Sequence, residues 1–94
     1  MSEFDKKHNT DAHRYEVWVD GELAGFAQYE QRPGEIVFVH TEVYPKFEGK
    51  GIGSQIARFG LDDVRAEGSQ RVGAQCSFIK VWIEKHPDYQ DLLA

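Results

Sequence analysis

Residues 35–68 read "EIVFVHTEVYPKFEGKGIGSQIARFGLDDVRAEG", and the fold turns on how this stretch divides. Residues 35–43 are apolar on both faces near their start, the pattern of a strand that is central in its sheet. Pro45 ends the strand, because proline has no N–H to give the ladder. From Ser54 to Glu67 the period changes. Ile52, Ile56, Phe59, Gly60 and Val64 fall on one helical stripe, with Gln55, Arg58, Asp62 and Arg65 opposite. Gly68 stands where a helix C-cap belongs. Between strand and helix, Gly49, Gly51 and Gly53 occupy alternate positions.

Upstream, "RYEVWVD" (14–20) alternates Tyr15, Val17 and Val19 against Glu16, Trp18 and Asp20, which predicts a half-buried strand. Asp20-Gly21 signals a tight hairpin, and "LAGFAQYEQ" (23–31) returns as a second strand. Arg32-Pro33-Gly34-Glu35 makes the next turn. Downstream, "QRVGAQCSF" (70–78) reads as a strand, parallel to 35–43 because strand, helix and strand form a right-handed crossover. "SFIKVWIEKHPDYQDLLA" ends the chain with a short helix to about Lys85 and a helical turn begun by Pro87. Its Tyr89, Leu92 and Leu93 are spaced to cover apolar surface. Residues 1–13 are polar and without period, a frayed leader before a single domain over 14–94. The expectation is α+β, β-β-β-α-β-α: a mixed, mostly antiparallel sheet whose one parallel pair flanks the glycine loop. Ligands of such sheets bind beyond the carboxyl ends of the parallel strands.

Composition narrows the function classes. Ninety-four residues are enough for one modest core. The formal net charge of −5 lacks the concentrated basic face of a nucleic-acid binder and is compatible with a cationic partner such as an amine. No apolar run approaches a membrane span, and the N-terminal residues lack the apolar core of a signal peptide. One cysteine, Cys76, allows no internal disulfide, so the expectation is a cytoplasmic protein. His8, His13, His40 and His86 are scattered, so no metal is expected.

The glycines have a physical reading. A helix N-terminus offers unpaired N–H groups and about half a positive charge. Glycines ahead of it let those groups approach a phosphate without a Cβ in the way. Lys50 adds a cation at the same place. "EGKGIGS" (48–54) therefore reads as a cradle for an anion, most naturally a pyrophosphate, where a merely tight loop would explain one or two of the glycines. Two familiar phosphate loops do not fit. The Walker pattern wants its lysine after the last glycine, whereas Lys50 sits between Gly49 and Gly51, and a G-x-G-x-x-G fingerprint would end on Ser54 or Ile56.

The pattern resembles that of the GCN5-related N-acetyltransferases, the GNAT superfamily. There, a strand ending V-x-P is followed by [Q/R]-x-x-G-x-[G/A] at a helix start. Here Val43-Tyr44-Pro45 leads to Glu48-Gly49-Lys50-Gly51-Ile52-Gly53. "HTEV", "EGKGIGS", "CSF" and "HPDYQDLL" together are similar to the minimal single-domain members, and the likeness covers nearly all of residues 14–94. It implies that loop amides over Glu48–Ser54 hold the pyrophosphate of acetyl-CoA. It also implies that the strand carrying Thr41, Glu42 and Val43 splays from the strand carrying Cys76 to admit the pantetheine arm. Backbone N–H groups near Val43 would then polarise the thioester carbonyl. Two positions depart from the pattern. Glu48 replaces the usual Gln or Arg, and Ile83 stands nearest the tyrosine that protonates the leaving thiolate in many members.

For the proton-transfer chemistry, His40 and Glu42 lie two residues apart on one strand face, where either could deprotonate an amine. Each reads equally as a solvated or satisfied side chain. Cys76 precedes Ser77 at a predicted helix start, a setting that favours a reactive thiol, although a lone cysteine in an apolar strand is more often core. Two functions follow: an acetyl-CoA-dependent N-acetyltransferase acting on a small amine or a protein lysine or N-terminus, or a non-catalytic acyl-CoA-binding module or sensor. No nucleic-acid or membrane partner is expected, and the chain reads as a monomer or weak homodimer.

Overall fold

The computed structural model describes residues 4–94. Its sheet has five strands in chain order: β1 (Asp5–Asn9), β2 (Arg14–Val19), β3 (Glu22–Arg32), β4 (Glu35–Val43) and β5 (Arg71–Ala74). The first four are antiparallel to their neighbours, and β5 runs parallel to β4. Helix α1 (Ile52–Glu67) makes the crossover between β4 and β5. Helix α2 (Ser77–Glu84) and a 3-10 segment over Pro87–Leu92 follow. The α+β class, the central place of β4 and the single parallel pair are as the sequence predicts, with one strand more.

The turns follow from their residues. Asp20 (φ 51°) and Gly21 (φ 79°) are both left-handed, as the right-handed strand twist wants in a two-residue hairpin. Pro33 followed by Gly34 (φ 71°) makes the next turn. Gly68 caps α1 in the left-handed conformation, its N–H on the Val64 carbonyl.

The core lies between one sheet face and α1. Tyr15, Val17, Ala27, Tyr29, Ile36 and Phe38 meet Ile56, Ala57, Leu61 and Val64. Gly60 lets the helix approach closely, since a Cβ there would stand 3.2 Å from the Phe38 ring. Ile79, Trp82 and Ile83 of α2, with Tyr89 and Leu92, extend the same core past β5. Leu93 bridges to Val72, so the tail covers apolar surface as expected.

Two boundaries differ from the sequence reading. The leader expectation for residues 1–13 is corrected over Asp5–Asn9, which pairs in register with Arg14–Trp18; residues 1–3 lie outside the described residues. β1 carries no apolar alternation because it is an edge strand, held by polar and aromatic contacts: His8 stacks on Tyr15 at 4.1 Å, and Asn9 Nδ2 donates to Glu16 Oε2 at 3.1 Å. Its charged Lys6 and Lys7 also discourage edge-to-edge pairing. The strand expected over 70–78 ends at Ala74, for a reason found in β4.

Candidate active site

The Phe38 carbonyl accepts from both Gln75 N (3.0 Å) and Cys76 N (2.9 Å). This fork ends the β4–β5 ladder, which pairs only Glu35–Phe38 with Arg71–Ala74. Beyond it β4 continues to Val43 paired to β3 alone, so the two parallel strands part at their carboxyl ends. β4 is also bulged. Its register steps from Gln28↔His40 to Tyr29↔Phe38, leaving Val39 unmatched. The extra residue reverses the alternation beyond it.

That reversal sorts the candidate residues by face. His40 and Glu42 lie on the helix-free face, where the His40 ring meets Phe26 and His40 Nε2 is 3.1 Å from Glu42 Oε1. They are 59% and 46% exposed, open to an incoming molecule. Thr41 and Val43 alternate to the helix side, where the Cys76 thiol donates to Thr41 Oγ1 at 3.3 Å. Residues expected to act together therefore stand on opposite sides of one strand. The placement of Cys76 within a strand is corrected. Its extended backbone (φ −74°, ψ 123°) caps α2, and Ser77 is the first helical residue. The turn into α2 starts there because the fork at Phe38 has already pulled the chain out of the sheet. Cys76 is 8% exposed.

After β4, Pro45–Phe47 forms a 3-10 turn that buries Phe47 and brings the chain round to α1. Gly49 (φ 82°) and Gly51 (φ 76°) are left-handed, the conformation glycine adopts without strain. Gly51 caps α1 with no side-chain hydrogen bond, and the first bond into the helix is Gln55 N to the Gly51 carbonyl (3.1 Å). Among the described residues, the amides of Gly51, Ile52, Gly53 and Ser54 thus donate to no acceptor. The first turn of α1 carries no acidic residue. Lys50 is exposed beside it without a carboxylate partner among the described residues, and Glu48 is exposed with no partner for its carboxylate. The Ile52 side chain is buried, so only its backbone faces the loop. Unpaired donors, a helix dipole and one lysine give this end of α1 the chemistry that suits an anion.

Three residues of this region escape sequence reasoning. Trp82 Nε1 donates to Ser54 Oγ at 3.0 Å and fixes the first turn of α1 against α2. His86 stacks on the Trp82 ring at 3.7 Å, and the Arg58 guanidinium lies over the same ring at 5.3 Å. Phe78, 40% exposed, sits against Gly53, where a Cβ would come within 2.9 Å of its ring. The α2 period was the available signal: Phe78 and Val81 fall opposite its buried residues Ile79, Trp82 and Ile83. Ile83 faces the core, so α2 offers no proton donor at that position, and the Tyr89 hydroxyl donates to Asp62 instead.

Two cavities lie elsewhere. A groove of about 570 Å³ follows β5 on the side of Leu93, lined by Gly73, Ala74, Lys80 and Ile83. A cleft of about 260 Å³ opens near the far end of α1. Among the described residues, no three His, Cys, Asp or Glu gather as metal ligands, and no helix is long and apolar enough to cross a membrane.

Comparison with known proteins agrees with this fold. The profile of the GCN5-related N-acetyl-transferase family matches residues 14–92. No curated protein matches the chain. The solution structure of a GCN5-like N-acetyltransferase candidate from Staphylococcus aureus is 25% identical with a TM-score of 0.75, covering 100% of this chain and 91% of that one. The ribosomal-protein-alanine N-acetyltransferase of Brucella melitensis biovar Abortus 2308 shares the fold at 20% identity and a TM-score of 0.61, covering 86% of this chain and 60% of its own. A GNAT-family acetyltransferase candidate from Desulfovibrio desulfuricans is 25% identical with a TM-score of 0.55, over 71% and 45% of the two chains. The chain thus spans less than two thirds of each of these last two proteins.

Proposed function

Because the chain belongs to the GCN5-related N-acetyltransferase family, we propose that it transfers the acetyl group of acetyl-CoA to an amine, either a small amine or a protein lysine or N-terminus. The observation that carries this reading is that two unpaired stretches of backbone, the β4 edge beyond Phe38 and the first-turn amides of α1, are joined by one short connection over residues 44–51. The diphosphate sits on the amides of Gly51–Ser54, with Gly49 giving close approach and Lys50 adding charge. Glu48 turns its carboxylate to solvent. The pantetheine arm passes between β4 and β5 along Thr41 and Val43, bringing the thioester into the gap.

The two faces of β4 divide the chemistry. The amine, with an ordinary pKa of about 10.4, arrives on the helix-free face and yields a proton to His40 or Glu42, directly or through water. Its nitrogen lone pair forms the C–N bond, the carbonyl electrons collect on an oxyanion held by backbone N–H near Val43, and the nitrogen then loses its second proton through the same base to water, so that the amide leaves neutral. When the oxyanion collapses, the C–S bond breaks and the thiolate of CoA takes a proton from the Cys76 thiol on the other face. Solvent reprotonates Cys76.

A second reading, an acyl-CoA sensor without turnover, is favoured by the same burial of Cys76 and by the core-facing Ile83. One pair of measurements separates them. Calorimetry should find acetyl-CoA binding, and thiol release over a panel of amines should then reveal turnover. Cys76→Ala should keep the binding and lose about a hundredfold or more in kcat. Binding with no release for any amine or protein lysine would select the sensor, and absence of binding would overturn both.

A further inference from the structure

The cleft near the C-terminal end of α1 lies about 17 Å along the helix axis from the glycine cradle. β1, β2, β3 and α1 all contribute to it. Its walls are aromatic and its charges are of one sign. His8 stacks on Tyr15 at 4.1 Å, and His13 stacks on Tyr29 at 5.2 Å. Asp63 and Glu67, one turn apart on α1, supply two carboxylates, Ile36 and Val64 give an apolar floor, and among the described residues no lysine or arginine lines the cleft.

The polar groups are held rather than loose. The Tyr15 hydroxyl donates to Asp63 Oδ2 at 2.8 Å, and His8 Nε2 lies 2.7 Å from the Tyr29 hydroxyl. His8 Nδ1 is 3.4 Å from the same Asp63 oxygen. Asp63 Oδ1 accepts nothing from the described residues. The Ser69 hydroxyl and amide hold the Glu67 carboxyl below its usual range, which keeps it charged. Two preorganised carboxylates beside tyrosine and imidazole rings repel anions and attract cations through their charge. The volume, below the usual range of drug-sized pockets, selects a small ligand.

We propose that this cleft is a second binding site, separate from the acetyl-transfer site, for a small organic ammonium ion. The ion sits between the Asp63 and Glu67 carboxylates with its alkyl part against the tyrosine and histidine rings. Because the cleft joins β1 to α1, occupancy also fastens the edge strand.

Titration of the whole protein with ethylammonium chloride, against sodium chloride at equal ionic strength, tests this by aromatic NMR. Saturable shifts of the His8, His13, Tyr15 and Tyr29 ring signals are expected. Affinity should fall about tenfold in Glu67→Gln and in Gln70→Lys, which sets a fixed cation at the rim without touching the core. Both variants should keep the wild-type amide spectrum elsewhere. Shifts that track salt alone, or saturation undiminished in both variants, would overturn the assignment. Because the readout is confined to these rings, amine binding beside His40 and Glu42 does not register in it.

Discussion

Gly25 of β3 pairs with Val43 of β4, and a Cβ built on it would stand 2.5 Å from the Glu42 carbonyl oxygen and 2.9 Å from Ile56 Cδ1. Backbone cannot yield at that distance as a side chain can. Gly25→Ala is expected to cost ~2–3 kcal/mol, read as a lower urea midpoint; an unchanged midpoint would refute the close approach. Glu16 carries a pH prediction. It is 1% exposed, and burial alone would raise its carboxyl, but hydrogen bonds from Arg14, Asn9 and Trp18 outweigh burial and hold it below its ordinary value. A depressed folded value means that the stabilisation is complete above the ordinary carboxylate range and is lost as pH falls through the folded value. Glu16→Gln should therefore lower stability by ~1–3 kcal/mol at neutral pH, with the two proteins' urea midpoints converging in acid. Parallel midpoints at all pH values would contradict it. Nothing in "RYEVWVD" reveals this burial, because Glu16 occupies an outward position of the strand pattern and its cover comes from Arg14, Asn9 and Trp18 side chains.

At the level of elements, α1 and α2 meet beside the cradle through one hydrogen bond, Trp82 Nε1 to Ser54 Oγ. Trp82→Phe keeps an aromatic ring for His86 and Arg58 but removes that donor. Net hydrogen-bond contributions of ~1 kcal/mol imply a CoA affinity roughly three- to tenfold weaker with the fold intact. Calorimetry decides it, and unchanged affinity would separate the Trp82 contact from the cradle. Helix α1, its glycine cap and both hairpins were legible because periodicity and left-handed glycines are local signals. β1 was not. An edge strand with polar residues on both faces has no period to detect, and its pairing depends on a histidine meeting a tyrosine in the next strand. The end of β5 was equally hidden, since a carbonyl of β4 imposes it.

For the molecule as a whole, a ligand that binds only the folded state adds stability by mass action. Acetyl-CoA at a hundred times its dissociation constant should add about 2.7 kcal/mol, a rise in Tm of roughly 10 °C or more for a domain of this size. A melting temperature indifferent to acetyl-CoA would count against the cradle. The sequence alone determined the strand–helix–strand crossover, the glycine loop at its centre and the family resemblance, since each is written in neighbouring residues. Tertiary structure decided which side of β4 each candidate residue faces. One unmatched residue, Val39, sends His40 and Glu42 to the open face and Thr41 to Cys76. A bulge is a property of two paired strands, so no single strand's pattern contains it.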